Sequence, residues 1–213
     1  MKGIDISVYQ SNIDWAKVAA AGVAFCLIQL TQGVGYTNPI DHAQSVAAQA
    51  AGIKIGYYHY GHPEKNSAKD EASHFISVIR NNAIPTADII PALDVEQYYA
   101  NGVEQKVPYN TLEQWVNDFC AVMADNGFPK VMLYSNPSYL NANLPAGHSL
   151  GSMPLWISEY AGQVSVYPSG WTGYAIWQNS GSGTVDGIPG QVDTDVCDDL
   201  SPLLLCTRSL NPL

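Results

Sequence analysis

The sequence predicts an α/β fold, an irregular TIM-like barrel of five β/α units followed by three strands. Through the first two thirds of the 213 residues, apolar segments of strand length alternate with amphipathic helical segments. The last third contains short strands separated by Gly-, Ser- and Pro-rich turns. Repeated strand–helix units favour a parallel sheet, and five units plus three strands supply the eight strands of a closed barrel. An open doubly wound sheet is the alternative, but no Gly-rich phosphate loop follows the first strand.

The elements follow one another in a regular order along the chain. The predicted strands are residues 3–9, 23–30, 53–60, 87–96, 130–136, 154–160, 173–178 and 190–196. The predicted helices are residues 12–22, 39–51, 67–81, 109–127 and 137–144. Residue types at the helix ends support three of these bounds. Gly22 closes the first helix, and Asn38 and Gly52 suit the N-cap and the position past the end of the second.

Length and composition indicate one folded domain. Hydrophobic residues make up 46% of the chain and charged residues only 13%, which is typical of a globular protein and not of a disordered one. Residues 1–200 contain no linker and are predicted to form the barrel. Residues 201–213, SPLLLCTRSLNPL, are predicted to be a short C-terminal tail that packs back on the barrel or remains from a longer protein.

Charge and hydropathy exclude two classes of partner. The net charge is −10 with only nine basic residues and no basic cluster, so the sequence predicts no nucleic-acid partner. No apolar run approaches the roughly 18 residues of a membrane helix, so no membrane partner is predicted. The N-terminus, MKGIDISVYQ, enters a strand at once and leaves no room for a signal peptide, which indicates synthesis in the cytoplasm unless the start was trimmed.

The four cysteines show no metal-ligand spacing, so the sequence predicts no metal and no cofactor. Cys26 and Cys120 lie in apolar patterns and are expected to be small buried side chains. A bridge between Cys197 and Cys206 and a fully reduced chain are both left open, although unpaired thiols suit a reducing cytoplasm.

Two carboxylates stand at the end of the fourth predicted strand. Asp94 and Glu96 are separated by one residue, which in an extended strand places their α-carbons on one face, about 6.5 Å apart. Like charges held that close in a poorly solvated place repel, so one carboxyl is expected to keep its proton near neutral pH. Asp5 and Asp193 belong to the first and last strands, and barrel enzymes place their catalytic residues at the carboxyl ends of strands. These four acids are the candidate catalytic residues.

Aromatic and amide side chains follow other strands at the same rim. Acids among aromatic faces suit a cleft that cleaves sugars, because carboxylates protonate the leaving oxygen and stabilise an oxocarbenium-like transition state. Aromatic rings in turn pack on the apolar faces of pyranoses. The predicted substrate-binding residues of this rim are Tyr58, Tyr60, Tyr134, Trp156, Trp177 and Gln178.

Four other polar residues are expected to have no catalytic role. His59 alternates away from Tyr58 in the strand and is predicted to be a packed, hydrogen-bonded histidine. Asp195, Asp198 and Asp199 lack the spacing of a calcium loop and are expected to be solvated.

Several motifs together resemble those of the family 25 glycoside hydrolases, the muramidases that include many phage endolysins and bacterial autolysins. They are GIDISVYQ with IDW, GYYHYGHP, ALDVE, LWISEY and AIWQNSGSGTVDGIPGQVDTDV, and the resemblance runs from about residue 3 to residue 200. It implies a flattened β/α barrel and cleavage of the β-1,4 bond from N-acetylmuramic acid to N-acetylglucosamine in peptidoglycan. The acidic residues of the family map onto Asp5, Asp94, Glu96 and Asp193.

One stretch departs from the family pattern. The family commonly has a lysine and, three residues on, a glutamate after the second strand, whereas this chain has Gln29 and Gln32. Activity is still expected because the four acids remain. Gln32 is kept as a candidate substrate-binding residue.

The residues and the resemblance together assign roles. Glu96 is the candidate general acid, and Asp94 is expected to orient the 2-acetamido group of the substrate, which could attack the anomeric carbon. Asp5 and Asp193 are expected to shape the field and to position sugar or water. Direct displacement by water stays open as a second mechanism.

Two other functions stay open at this point. One is a catalytically weak glycan-binding barrel, which Gln29 and Gln32 suggest, and the other is hydrolysis of another N-acetylated glycan such as chitin. The expected partner is bacterial cell-wall peptidoglycan outside the cell, reached at lysis or by secretion. A monomer is the default oligomeric state.

Overall fold

The computed structural model describes residues 1–81, 84–108 and 110–205, which form eleven β-strands and five α-helices. The strands are β1 Lys2–Ile6, β2 Val23–Gln32, β3 Tyr36–Thr37, β4 Lys54–Tyr60, β5 Ala92–Asp94, β6 Tyr98–Ala100, β7 Val103–Gln105, β8 Met132–Ser135, β9 Leu155–Ser158, β10 Ile176–Gly183 and β11 Val192–Val196. The helices are α1 Trp15–Ala20, α2 Asp41–Ala50, α3 Ala68–Arg80, α4 Leu112–Asp125 and α5 Pro137–Asn143. Short 3₁₀ turns cover Ser149–Ser152 and Ser201–Leu203.

Eight of the strands close into a barrel, which confirms the predicted fold class. The order around the barrel is β1, β11, β10, β9, β8, β5, β4 and β2, and β2 pairs with β1 to close the ring. Neighbouring strands are parallel except at β11, which runs antiparallel to both β1 and β10. A helix follows each of β1, β2, β4, β5 and β8 along the chain, as the five predicted β/α units require.

Alternation along the strands divides the apolar residues into two clusters. The inner cluster fills the barrel and includes Phe25, Leu27, Tyr58, Ala92, Met132, Tyr134, Trp156 and Ile176. The residues between them on the same strands point outwards and join helix residues in the outer cluster, among them Ile28, Tyr57, Leu93, Leu133, Ile157, Phe75 and Phe119. Since side chains alternate with a period of two, this pattern fixes which polar residues enter the barrel.

The strand expected at residues 87–96 is shorter than the sequence predicts. β5 covers Ala92–Asp94 only, and Ile89 forms an isolated bridge to Leu204 instead of extending the strand. The physical reason is Pro91, which has no N–H to donate to a ladder. After Glu96 the chain forms the β6–β7 hairpin, which is not among the predicted strands.

The second helix also begins later than predicted. Asn38 is not its N-cap, because α2 begins at Asp41 with Ile40 in the capping position. The Asn38 amide instead donates to the main-chain oxygen of Gln29 at 2.9 Å and thereby fastens the loop to β2. The other end agrees with the sequence, since Gly52 follows the helix with a positive φ of 82°.

The chain after residue 200 lies against the barrel as far as it is described. Ile90 N–H donates to the Leu203 carbonyl at 2.8 Å, and Leu205 N–H donates to the Asp88 carbonyl at 2.8 Å. Residues 206–213 lie outside the described residues, and the choice between a Cys197–Cys206 bridge and free thiols therefore stays open. Within residues 1–81, 84–108 and 110–205, no helix has both the length and the apolar character needed to cross a membrane.

Candidate active site

The four candidate acids converge at one end of the barrel. Asp5 on β1 lies directly opposite Asp193 on β11 in the antiparallel register. Because β11 runs antiparallel, its first residues reach the rim where the parallel strands end. Asp94 ends β5, and Glu96 follows two residues later, with the intervening Val95 packed in the outer cluster. Asp5 and Asp94 are buried, whereas Glu96 and Asp193 are half-buried and open towards the rim.

A fifth acid belongs to this group, and the expectation that Asp195 is solvated is wrong. Asp195 is 1% exposed, and its Oδ1 accepts a hydrogen bond of 2.8 Å from the indole Nε1 of Trp156. Its carboxyl group also lies within hydrogen-bonding reach of that of Asp5. The reason is alternation, because Asp193 and Asp195 lie two residues apart on β11 and therefore both enter the barrel. Asp198 and Asp199 are exposed, as expected.

Burial perturbs the acids beside β5 most strongly. Burial, and next the charge of Asp193, raise the pKa of Glu96 to about 7, while a hydrogen bond from Tyr60 opposes the rise. Burial raises the pKa of Asp94 well above its usual range, and the charge of Glu96 adds to the effect. The spacing of Asp94 and Glu96 in the sequence predicted that the charge of Asp94 raises the pKa of Glu96. In the structure, the acid whose charge raises this pKa is Asp193.

The acids around β1 are perturbed in the same direction. Burial, and then the charges of Asp195 and Asp193, raise the pKa of Asp5 well above its usual range. Burial also raises the pKa of Asp195 to about 7 and that of Asp193 above its ordinary value. None of the ion pairs between described residues includes one of these acids. The site is therefore a cluster of carboxyl groups whose pKa values all lie above their ordinary values.

A hydrogen-bonded layer supports Asp5 from below. Gln178 Nε2 donates to Asp5 Oδ2 at 2.8 Å. The Gln178 side-chain oxygen in turn accepts hydrogen bonds from the hydroxyl groups of Tyr134, at 2.8 Å, and Tyr160, at 2.9 Å. These two tyrosines fix the orientation of the amide, because its oxygen must face the hydroxyls and its nitrogen must face Asp5.

The predicted aromatic residues occupy different depths. Tyr58 and Tyr134 are buried in the inner cluster and both pack edge-on against Trp156, with ring centroids 5.7 and 4.5 Å away. Trp156 is fully buried and contacts the acids through its indole nitrogen. Tyr60 is half-buried and lies beside Asp94 in the β4–β5 register, so it is the residue of this group nearest the rim.

Two further predicted residues lie apart from the acids. Trp177 alternates with the inward-facing Gln178, joins the outer cluster, and donates its indole N–H to the Glu159 carbonyl at 2.8 Å. The structure therefore does not bring Trp177 to the cleft. Gln32 is half-buried and its Nε2 lies 2.9 Å from His62 Nε2, while His62 Nδ1 lies 2.8 Å from Glu64 Oε1.

His59 is packed and hydrogen-bonded, as predicted. Its Nδ1 lies 2.7 Å from the Thr31 hydroxyl, and its Nε2 lies 2.8 Å from Glu71 Oε2. The ring stacks on Phe119 with centroids 5.5 Å apart. Burial lowers the pKa of His59 against the opposing hydrogen bond and charge of Glu71, and the contact between these two side chains ties β4 to α3.

No group of three His, Cys, Asp or Glu side chains in the described ranges is arranged to hold a metal ion. The chemistry available at the rim is thus that of carboxyl groups. A half-buried acid with a pKa of about 7 beside a buried second acid is the arrangement that protonates a leaving oxygen and stabilises developing positive charge. The fold and these residues define a β/α barrel with an acid pair at the carboxyl end of β5.

The chain belongs to the Glycosyl hydrolases family 25, whose sequence profile matches residues 4–188. It is 28% identical over 194 residues to lysozyme M1 of Streptomyces globisporus, covering 91% of this chain and 66% of that protein. It is 31% identical over 195 residues to the autolytic lysozyme of Clostridium acetobutylicum, covering 92% of this chain and 55% of that one. The chain thus spans less than two thirds of the length of both curated relatives.

Solved structures agree with this assignment. The bacterial lysozyme of Streptomyces coelicolor superposes with a TM-score of 0.84 at 28% identity, and the match covers 95% of this chain and 94% of that one. The barrel and its closure are therefore those of a lysozyme of known structure.

Proposed function

We propose that this chain is an N-acetylmuramidase, a lysozyme that hydrolyses the β-1,4 bond between N-acetylmuramic acid and N-acetylglucosamine in bacterial peptidoglycan. Membership of the family and similarity to lysozymes support the reaction class. The observation that carries the assignment within the site is Glu96, a half-buried acid at the rim with a pKa raised to about 7. An acid with that pKa is protonated in part at neutral pH and can donate to a glycosidic oxygen.

Glu96 acts as the general acid. Its carboxyl proton passes to the bridging oxygen of the glycan as the bond to the anomeric carbon breaks, and the positive charge that develops on the sugar is stabilised by the acids around it. The hydrogen bond from Tyr60 holds the Glu96 carboxyl in one orientation. Asp193 is the acid whose charge keeps the proton on Glu96 before the reaction.

Asp94 assists from the end of β5. Its Oδ1 is buried and has no hydrogen-bond partner among the described residues, so it is available to a polar group of the substrate. We assign it to the 2-acetamido N–H of the muramic acid, which it orients for attack of the acetamido oxygen on the anomeric carbon. Water then adds to the anomeric carbon and gives one proton back to the Glu96 carboxylate. The bond from the acetamido oxygen to that carbon breaks, which restores the acetamido group, as in the substrate-assisted exception to the two-carboxylate mechanism.

The remaining residues serve binding and support. Asp5 and Asp193 position sugar and water across the cleft, and Tyr60 and Gln32 line its wall. Tyr58, Tyr134, Trp156 and Gln178 lie beneath the acids and act on the substrate through them. The barrel of residues 1–200 carries the site, and its partner is the peptidoglycan of the cell wall.

The test compares Glu96→Gln with a matched variant. Purified peptidoglycan is incubated with each protein and the released reducing ends are measured. Glu96→Gln removes the acid proton with little change in shape, so the rate should fall by about 10²–10⁴-fold, the usual contribution of general acid catalysis. Glu104→Gln, at an exposed position of β7, serves as the control and should leave the rate unchanged.

Two results would oppose the proposal. A Glu96→Gln variant that stays near the wild-type rate would show that another residue is the acid. A wild-type protein that binds peptidoglycan without releasing reducing ends would identify a glycan-binding barrel instead.

A further inference from the structure

Asp195 is a buried carboxyl group that the proposed reaction does not use. Its Oδ1 accepts the indole N–H of Trp156 at 2.8 Å. Its Oδ2 is buried and has no hydrogen-bond partner among residues 1–81, 84–108 and 110–205. Buried polar atoms are rarely left without a partner, and the carboxyl group of Asp5 lies within hydrogen-bonding reach of Asp195.

A hydrogen bond between two carboxyl groups requires a proton. An ionised carboxylate only accepts hydrogen bonds, so Asp5 and Asp195 can bond to each other only if one of them is a neutral acid. Each already receives one fixed donor, Asp5 from Gln178 and Asp195 from Trp156, both at 2.8 Å. Two ionised carboxylates in contact at a buried position would repel strongly, and no ion pair among the described residues brings a cation to either.

We propose that Asp195 is a positioning residue that shares one proton with Asp5 and, through that hydrogen bond, holds the Asp5 carboxyl in place at the floor of the cleft. The inference rests on the proposed function in one respect, which is that Asp5 faces the substrate. The shared proton belongs to the pair and not to one residue, as in other tightly coupled carboxyl pairs.

The groups around Asp5 and Asp195 favour the state in which the pair holds one proton over the state in which both carboxyl groups are ionised. Asp193 faces it from β11 itself, and Asp94 acts on Asp5 from β5, so both contribute negative charge. Strand β2 contributes the apolar side chain of Leu27, which lies opposite Asp5 in the register. The neighbouring thiol of Cys26 belongs to the outer cluster, and burial, followed by the charges of Asp5 and Asp195, raises its pKa. Strands β9 and β10 contribute the neutral side chains of Trp156 and Gln178. No element packed on Asp195 brings a positive charge among the described residues.

A purely structural role for Asp195 makes a different prediction. The indole of Trp156 needs an acceptor, and the amide oxygen of asparagine would serve as well as a carboxylate. If that acceptor were the whole function, the proton state of Asp195 would have no effect on Asp5. The rates of Asp195→Asn and Asp195→Leu show whether Asp5 needs a partner, and measurements of the proton itself separate the two roles.

The experiment uses the whole chain and three variants. In Asp195→Asn, the Trp156 N–H fixes the amide oxygen, which leaves the amide nitrogen to donate to Asp5 in place of the shared proton. In Asp195→Leu, Asp5 loses its partner, and kcat should fall by about 10–100-fold with little change in KM, the loss usual when a partner that orients a functional group is removed. Asp195→Asn should recover most of that rate. Asp198→Asn, at an exposed neighbouring position, is the control.

Two readouts test the proton itself. In infrared difference spectra at mildly acidic pH, the wild type should show the carbonyl band of a buried protonated acid that is absent from Asp195→Asn and present in Asp198→Asn. On the alkaline side of the pH–rate profile, the activity of the wild type should fall with the release of two protons, one from the pair and one from Glu96. The activity of Asp195→Asn should fall with the release of one proton.

An unchanged infrared band in Asp195→Asn, or an Asp195→Leu variant that folds and keeps the wild-type kcat, would overturn the inference. The infrared result does not depend on catalysis. A wild-type protein that is inactive on peptidoglycan but loses the band in Asp195→Asn would refute the proposed function and still support the shared proton.

Discussion

Tyr60 tunes the acid at the level of a single hydrogen bond. Its side chain lies beside Asp94 in the sheet register and is hydrogen-bonded to Glu96, and this bond lowers the pKa of Glu96 against the rise caused by burial. A hydrogen bond to a carboxylate favours the ionised form, so its removal must favour the protonated form.

We therefore expect Tyr60→Phe to raise the pKa of Glu96 and to move the alkaline side of the pH–rate profile to higher pH. The measurement is kcat/KM on soluble glycan fragments across the pH range, with Tyr99→Phe on the exposed side of the hairpin as the control. A profile that moves to lower pH, or does not move, would show that Tyr60 does not act on Glu96.

At the scale of residues, spacing predicted the first acid pair and could have predicted the second. Asp94 and Glu96 were identified because they stand two apart at the end of an apolar strand. Asp193 and Asp195 have the same spacing, but they lie close to Asp198 and Asp199 in a run of acids that resembles a solvated loop. The antiparallel direction of β11 brings Asp193 and Asp195 to the rim where the parallel strands end, and a sequence pattern does not reveal strand direction.

At the scale of elements, β1 and β2 pack closely against each other inside the barrel. Gly3 pairs with Phe25 in the parallel register, and a Cβ placed on Gly3 would meet the phenyl ring at 2.2 Å. The aromatic ring thus occupies the space that a side chain on β1 would need.

Gly3→Ala should consequently lower the free energy of unfolding by about 1–3 kcal/mol, the usual effect of overpacking a core. Chemical denaturation of the variant beside Gly35→Ala measures it, since a Cβ at Gly35 meets nothing within 4 Å. If Gly3→Ala proved as stable as Gly35→Ala, the ring of Phe25 would have to move freely in the barrel.

Elements were predictable where the hydrophobic pattern is strong and less so where loop chemistry decides. All five helices and the eight barrel strands follow from their apolar spacing. The β6–β7 hairpin was missed although the sequence contains its signal, because Asn101 and Gly102 form the two-residue turn between Ala100 and Val103, with positive φ values of 54° and 78°. Trp177 was assigned to the cleft by its position near a strand end, but alternation directs it outwards and Gln178 inwards.

The acid cluster gives the whole molecule an unusual dependence of stability on pH. Glu96 and Asp195 have pKa values of about 7 in the folded protein, above their ordinary values of 4.5 and 3.8. The folded state therefore binds more protons than the unfolded state between these values, and its stability is present at low pH and lost as pH rises through about 7. His59, with a lowered pKa, acts in the opposite direction as pH falls.

Since the raised acids outnumber this histidine, we expect a higher melting temperature at about pH 5.5 than at about pH 8. Thermal denaturation across that range tests the sign, and Asp195→Asn should show a shallower decline. A melting temperature that increases steadily towards pH 8 would mean that the cluster is ionised in the folded protein.

Net charge governs how the protein approaches its substrate. At −10, the chain is repelled by an anionic cell wall, and charges beyond about 8–10 Å are screened at physiological salt. Lysis of anionic walls should hence improve from very low to moderate ionic strength, while hydrolysis of a small neutral muropeptide should change little. The rate of lysis against sodium chloride at fixed pH measures this, and a steady fall with salt would indicate a basic wall-binding surface.

We propose that the acids at the carboxyl end of β5 hydrolyse the β-1,4 bond between N-acetylmuramic acid and N-acetylglucosamine in peptidoglycan. The most direct test is the identity of the new reducing end after digestion of purified peptidoglycan, determined by borohydride reduction and mass spectrometry, with chitin digested in parallel. We expect reduced N-acetylmuramic acid, little release from chitin, and loss of the product in Glu96→Gln. Reduced N-acetylglucosamine as the new end, or equal cleavage of chitin, would contradict it.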